Sequence, residues 1–278
     1  MTERIKIAGV PFDNLDYKGV LKQIDHFIKN DRKVYIVTAN PEMILNASKD
    51  DKFFEVLAGA TLNTPDGTGI LWAATYLEKP RPKNALARRF QFYQSCLAGL
   101  FFPRSIRKVL KERVTGTDLM KKIVEMSQEK TWKIFLLGAS SGIAKKVTKK
   151  FSKKHPNVKF VGCHAGTPHI KDEMEICELI NEAKPDILFV AYGSPDQEFW
   201  IHRNLFKLNS VKVAMGVGGA FDFHAGRVKR APKWMQKAGL EWLWRLTREP
   251  KRLSRIWNAT VVFSKLVAKE KEENHSAQ

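Results

Sequence analysis

"WKIFLLGASSGIAKKVTKKF", residues 132–151, reads as a strand, a glycine turn and a helix in immediate succession. "DILFVAYGSPDQEFWIHRNL" (186–205) repeats that order. "KVYIVTAN" (33–40) reads as a strand ending at Asn40-Pro41, with a helix through "EMILNASKDDKFFEVLAGA" (42–60) behind it, and "VKVAMGVGGAFDF" (211–223) supplies another strand and glycine turn. Buried runs alternating with helices imply an α/β fold, a parallel sheet with helices on both faces. Ligands in such folds bind at the carboxyl ends of the strands. Asn40, Asp66, Gly138, Gly193 and Gly218 all fall at or just beyond expected strand ends, so one crevice could gather them.

Composition narrows the class. With 278 residues, 44% apolar, the chain is long enough for a real core and too apolar for disorder. No apolar run reaches the roughly 18 residues that span a bilayer. The N-terminus lacks a signal-peptide core, which predicts a cytoplasmic protein. Cys96, Cys163 and Cys177 have no metal-ligand spacing and fit a reducing compartment. The net charge is +19, and residues 79–113 and 227–257 carry +9 and +8 of it. One charge run is usually a solvated face, whereas two concentrations favour a polyanionic partner: nucleic acid, anionic lipid or a phosphorylated substrate.

Two segments stand outside the alternation. Residues 84–111 place Leu86, Phe90, Tyr93, Leu97 and Leu100/Phe101 at helical spacing with Arg88, Arg89, Arg104 and Arg107 nearby, which reads equally as a basic amphipathic helix for a membrane interface or as a hairpin packed on the core. From Glu249-Pro250 the chain runs through a helical segment into a polar tail. The resulting division is 1–240 for the α/β domain and 241–278 for a helical C-terminal appendage, with 269–278 expected to be disordered.

Motif searching first removes chemistries. No phosphate loop, H-E-x-x-H, G-x-S-x-G or full G-x-G-x-x-G occurs, and no Asp-x-Asp, so neither a metal ligand set nor a serine nucleophile has support in the motifs. "LLGASSG" (136–142) suits either a phosphate on backbone N–H groups or tight packing of helix on strand. In "YGSPDQEFW" (192–200) the acids are ordinary helix capping, but Gln197 is not needed for that, and its two-sided amide suits a sugar hydroxyl or acetamido group. Asp222, between two phenylalanines, is either a buried paired carboxylate or a ribose or base ligand. Arg245, Arg248, Arg252 and Arg255, if helical, form one stripe of like charges that calls for an anionic ligand. Asp66, in "TPDG", is either a turn residue or a catalytic acid.

Taken together, "TANPEM" (38–43), "TPDGTGI" (64–70), "ERVTGTDLM" (112–120), "LLG" (136–138), "GSPDQE" (193–198), "GVGGAFDFHAGRVKRAP" (216–232) and "GLEWLWRLTREPKRLSR" (239–255) resemble the WecG/TagA/CpsF family of bacterial glycosyltransferases, in the family's order. The resemblance implies a Rossmann-like domain whose C-terminal appendage closes the site and meets the membrane. It implies an inverting, metal-independent transfer, with no cofactor, of N-acetylmannosamine or its uronic acid from a UDP-sugar donor. The acceptor would be the C4 hydroxyl of N-acetylglucosamine on undecaprenyl diphosphate, a polyprenyl carrier, in wall teichoic acid or a related glycan. Carried over by residue, Asp66 would be the general base, and Thr38, Asn40, Gln197 and Arg113 would contact substrate. Gly218 and Asp222 would belong to the nucleotide pocket, and Arg245, Arg252 and Arg255 would hold diphosphate. The implied location is peripheral, on the inner face of the plasma membrane, against an anionic surface. Residues 80–111 read as an insertion relative to the family, serving as a second lipid-surface contact, the favoured reading, or as a lid or homo-oligomer interface. The competing classes are a nucleic-acid-binding protein, for which no specific motif is present, and a non-catalytic membrane scaffold, which leaves Thr38, Asp66 and Gln197 unexplained.

Overall fold

The structure, a computed structural model, describes residues 4–102, 105–232, 235, 241–250 and 253–276. A small antiparallel hairpin, β1 (Arg4–Ile7) and β2 (Val10–Asp13), precedes the main sheet. That sheet is parallel and six-stranded, in the order β4 (Leu62–Pro65), β3 (Val34–Ala39), β8 (Val213–Gly216), β7 (Ile187–Ala191), β5 (Lys133–Gly138) and β6 (Lys159–His164). The hairpin closes the β4 edge, where Asp13 accepts the Asn63 backbone N–H at 2.9 Å and pairs with Arg4.

Alternation along the strands builds two cores. Tyr35, Val37, Phe135, Leu137, Leu188, Val190 and Ala214 face one side, while Val34, Ile36, Ile134, Leu136, Ile187, Phe189 and Met215 face the other. Helices α2 (Pro41–Ala47), α3 (Asp51–Ala58), α4 (Thr68–Glu78), α8 (Glu173–Ala183) and α9 (Asp196–Asn204) cover the first face. The second is covered by α1 (Tyr17–Lys29), α6 (Gly116–Lys130), α7 (Ile143–Lys154) and α10 (Ala220–Ala225). With both faces covered, the strands read as continuous apolar runs, which is why the sequence exposes them. The single helix expected over 42–60 is two, because the Asp50 carboxylate caps a new start by accepting the Phe53 N–H at 3.2 Å.

The basic segment forms α5 (Ala85–Phe101), which packs on α4 by a face other than the one its spacing singles out. Phe92 meets the stacked pair Trp72 and Tyr76 edge-on, and Gly99 sits against Trp72, whose ring leaves room for little more than a hydrogen there. Leu86, Phe90, Tyr93 and Leu97 stay exposed.

After α10, α11 (Glu241–Arg248) and α12 (Leu253–Trp257) lead through a π-helical turn, Asn258–Val262, into α13 (Phe263–Ser276). The expectation of a disordered end from 269 fails for 269–276, which are helical. Phe263 and Val267 enter the first core, Glu270 accepts the Ala8 N–H at 2.9 Å, and Lys271 is buried with its ammonium on the Tyr76 and Lys79 carbonyls. Glu272 pairs with Arg81 and Arg88. The polar residues that read as a solvated tail are therefore anchored by partners far away in sequence.

Candidate active site

A cavity of about 290 Å³ opens at the carboxyl ends of β3 and β4, roofed by the appendage. Its floor comes from Asn40, Pro41 and Glu42 after β3 and from Asp66 and Gly67 after β4. Thr115 and Thr117 at the start of α6 form one wall, with Phe223 of α10 beside them, and Arg230, Glu241, Trp242, Arg255, Ile256 and Ala259 close it.

Backbone pairing places Asp66. Its N–H donates to the Ala39 carbonyl at 2.9 Å, extending the β3–β4 ladder past Pro65, and Val114 N–H donates to the Pro65 carbonyl at 2.9 Å. This carries "TPDG" to the N-terminus of α6, where Gly116 N–H donates to Asp66 Oδ2 at 3.3 Å. The helix terminus thus holds a carboxylate through an amide that has no intrahelical partner. Gly116 is required there, since a Cβ would come 2.9 Å from Thr38 Oγ1. Thr38 therefore lies beside the Asp66 and Gly116 pair. Asn40 lines the cavity, but its Oδ1 is committed to capping α2, accepting Glu42 N–H at 3.0 Å and Met43 N–H at 3.1 Å.

The arginines are held by acids. Arg255 Nε and Nη2 donate to Glu42 at 2.9 and 2.7 Å, and this bond is the leading cause that raises the Arg255 pKa. Arg230 donates through Nη2 to Asp118 Oδ2 at 2.9 Å and through Nε to Glu241 at 2.9 Å. Burial works against charge at Asp118, yet the Arg230 guanidinium prevails and holds that carboxyl below the usual range. Arg113 does not line the cavity; it pairs with Glu241 at 3.5 Å. The expected single stripe of arginines does not form: Arg248 ends α11 and Arg255 belongs to α12, with Pro250, which cannot donate within a helix, between them. Arg245 stands on α11, and Arg252 lies outside the described residues. Glu42, Asp118, Arg230 and Glu241 are not among the residues singled out from sequence, although all four occur in the family-like motifs.

Gln197, Gly218 and Asp222 gather elsewhere, at the ends of β7, β8 and β5. The connection from β5 runs to β6 on one side and that from β7 to β8 on the other, which makes their junction a topological switch point. Gln197 is buried, and its Oε1 accepts N–H groups of Gly218 at 2.8 Å and Gly193 at 3.3 Å, tying two glycine turns together. Its Nε2 donates to Glu198 Oε1 at 2.6 Å. Glu198 is buried too, and burial pushes its carboxyl up to about 7 against those hydrogen bonds. Asp222 is half-buried; Arg227 lies 3.5 Å from it and donates to Ser140 Oγ in the β5–α7 turn at 3.2 Å. Asp222 and Phe223 are adjacent on α10, so one short helix borders both this crevice and the cavity.

The sequence model of the Glycosyl transferase WecG/TagA/CpsF family matches residues 5–90 and 100–277. The unmatched stretch, 91–99, falls inside α5, so most of the segment read as an insertion at 80–111 is family sequence. The N-acetylglucosaminyldiphosphoundecaprenol N-acetyl-beta-D-mannosaminyltransferase of Bacillus subtilis (strain 168) is 32% identical over 251 residues, covering 90% of this chain and 86% of that protein. The protein of the same name from Staphylococcus aureus (strain MRSA252) is 30% identical over 281 residues, covering 100% and 97%. Among the described residues no helix is long and apolar enough to cross a membrane.

Proposed function

The chain belongs to the WecG/TagA/CpsF family of glycosyltransferases, and from that premise we propose that it moves N-acetylmannosamine from UDP to the C4 hydroxyl of N-acetylglucosamine on undecaprenyl diphosphate. The observation that carries the reading is Asp66, fixed by the Gly116 amide inside a cavity that also holds Arg230 and Arg255. As the acceptor oxygen bonds to the anomeric carbon, its proton passes to the Asp66 carboxylate. The bond from that carbon to UDP breaks with both electrons leaving on the phosphate, so the configuration inverts. Arginine on the departing or carrier diphosphate supplies the charge stabilisation, without a metal. Diphosphate would take Arg255 from Glu42, exchanging one anionic partner for another.

The UDP moiety fits the crevice of Gly218, Asp222 and the β5–α7 turn, with Gln197 bracing it and Thr38 beside the base. The appendage, 241–278, is a separate closing element over a domain of 1–240, working on the inner membrane face where the lipid-linked acceptor resides. The product would be the linkage unit of a wall teichoic acid or a related surface glycan.

The test is UDP release by purified protein given UDP-N-acetylmannosamine, with and without a lipid-diphosphate N-acetylglucosamine acceptor. Release should require acceptor, and Asp66→Asn should reduce turnover by about 10²–10⁴-fold while retaining donor binding. Wild-type turnover in that variant would remove Asp66 as the base.

A further inference from the structure

We propose that the outward face of α5 is a docking surface for anionic lipid, separate from the appendage. Leu86, Phe90, Tyr93 and Leu97 are 55–74% exposed and fall within an arc of about 60° on the helix, along roughly 16 Å of its axis. The opposite face, with Phe92, Ser95 and Gly99, packs on α4, so this helix carries apolar side chains both inward and outward. Large apolar groups in a row on a surface mark a site that meets something apolar.

Charge selects the occupant. Lys83, Arg89, Arg107 and Lys108 are exposed and make no ion pair among the described residues, and Arg89 borders the stripe directly. By contrast, Arg81 and Arg88 turn inward to Glu272. The only acid between 79 and 113 is Glu112, which accepts the Tyr17 N–H. A second copy docked on this helix by a two-fold axis would bring two such cationic borders together with no acid from residues 79–111 to pair them. Acyl chains take the stripe and lipid phosphates take the border, as in interfacial helices. The position suits the chemistry: α4 starts at Thr68, right after Asp66 and Gly67 in the cavity, and Gly99 of α5 sits on Trp72 in the first half of α4. The Leu97 end of the stripe is thus its cavity-near end. The docking face rests on the lipid-linked acceptor proposed above for its purpose, while its measurement needs no substrate.

Flotation of the full-length protein with vesicles of phosphatidylcholine, alone or mixed with phosphatidylglycerol, tests it. Wild type should float with the mixed vesicles and not with phosphatidylcholine alone. The variant Leu86→Ser/Phe90→Ser/Tyr93→Ser/Leu97→Ser should lose at least about tenfold in partitioning. Lys145→Glu/Lys149→Glu on α7, which lowers net charge equally far from α5, should lose much less than Arg89→Glu/Arg107→Glu. The serine variant should keep activity on a short-chain, water-soluble acceptor and lose it on acceptor embedded in vesicles. Unchanged flotation of the serine variant overturns the proposal, as does conversion of a dimer to a monomer with flotation intact. Failure of wild type to transfer sugar at all would defeat the proposed reaction and leave the flotation result standing.

Discussion

Glu198 and its neighbour Gln197 form a brace whose two members respond to different probes. The Glu198 carboxyl, pushed up to about 7 by burial, keeps its proton in the native state over a range where an unfolded chain, at 4.5, has lost it. Its contribution to stability is therefore complete below about pH 4.5 and disappears as pH rises through about 7. Glu198→Gln keeps an acceptor for Gln197 and cannot titrate, so its stability should be flatter between pH 4.5 and 7 and exceed wild type at pH 8 by about 1–3 kcal/mol. Urea unfolding across pH reads this directly, and superimposable profiles would show that the wild-type carboxyl does not hold the proton. Gln197→Ala strips an acceptor from the Gly193 and Gly218 amides and should cost about 1–3 kcal/mol of stability as well as raising KM for the donor. An unchanged melting temperature with a raised KM would instead make Gln197 a direct substrate contact, as its amide suggests when read from sequence alone.

At the scale of the element, α13 is where local reading and tertiary structure part company. Lys271 places its ammonium on the last carbonyls of α4 and 4.5 Å from the Tyr76 ring, in a site dry enough to pull its pKa down to about 8. Lys271→Ala leaves the Tyr76 and Lys79 carbonyls without that donor and should lower stability by about 1–3 kcal/mol, measured by thermal melting; a neutral result would mean that water replaces the ammonium at no cost. Nothing in "AKEKEENHS" signals this, because its partners lie almost 200 positions earlier. The strand, glycine turn and helix units were legible for the opposite reason: burial on both sheet faces imprints itself on consecutive residues. The site divided in the same way. Asp66 and Asn40 announced themselves by punctuation at strand ends. Asp118, Arg230 and Glu241 acquire meaning only when α6, the loop after α10 and α11 meet, and the arginine spacing makes one stripe only in a helix continuous through Pro250, where the helix is broken.

For the whole molecule, the C-terminal helices both enter the core and line the cavity, and their structural role and the catalytic role proposed for them separate by experiment. Phe263 and Val267 are fully buried, and losing each from the core costs about 1.5–3 kcal/mol, a large part of the 5–15 kcal/mol that holds a domain together. Removing 241–278 also removes Glu241, Trp242, Arg255, Ile256 and Ala259 from the cavity, while the crevice of Gln197, Gly218 and Asp222 lies wholly on the other side of that boundary. A protein ending at residue 240 should therefore melt well below wild type, yet below that melting point it should bind UDP with affinity within a few-fold of wild type and transfer no sugar. Calorimetric titration with UDP, alongside circular dichroism to establish that the fragment is folded, distinguishes the cases. A folded fragment that has lost UDP would place the nucleotide against the appendage. A fragment that still transfers sugar would show that Arg255 and the cavity roof are dispensable, leaving Asp66 and the sheet ends to perform the reaction alone.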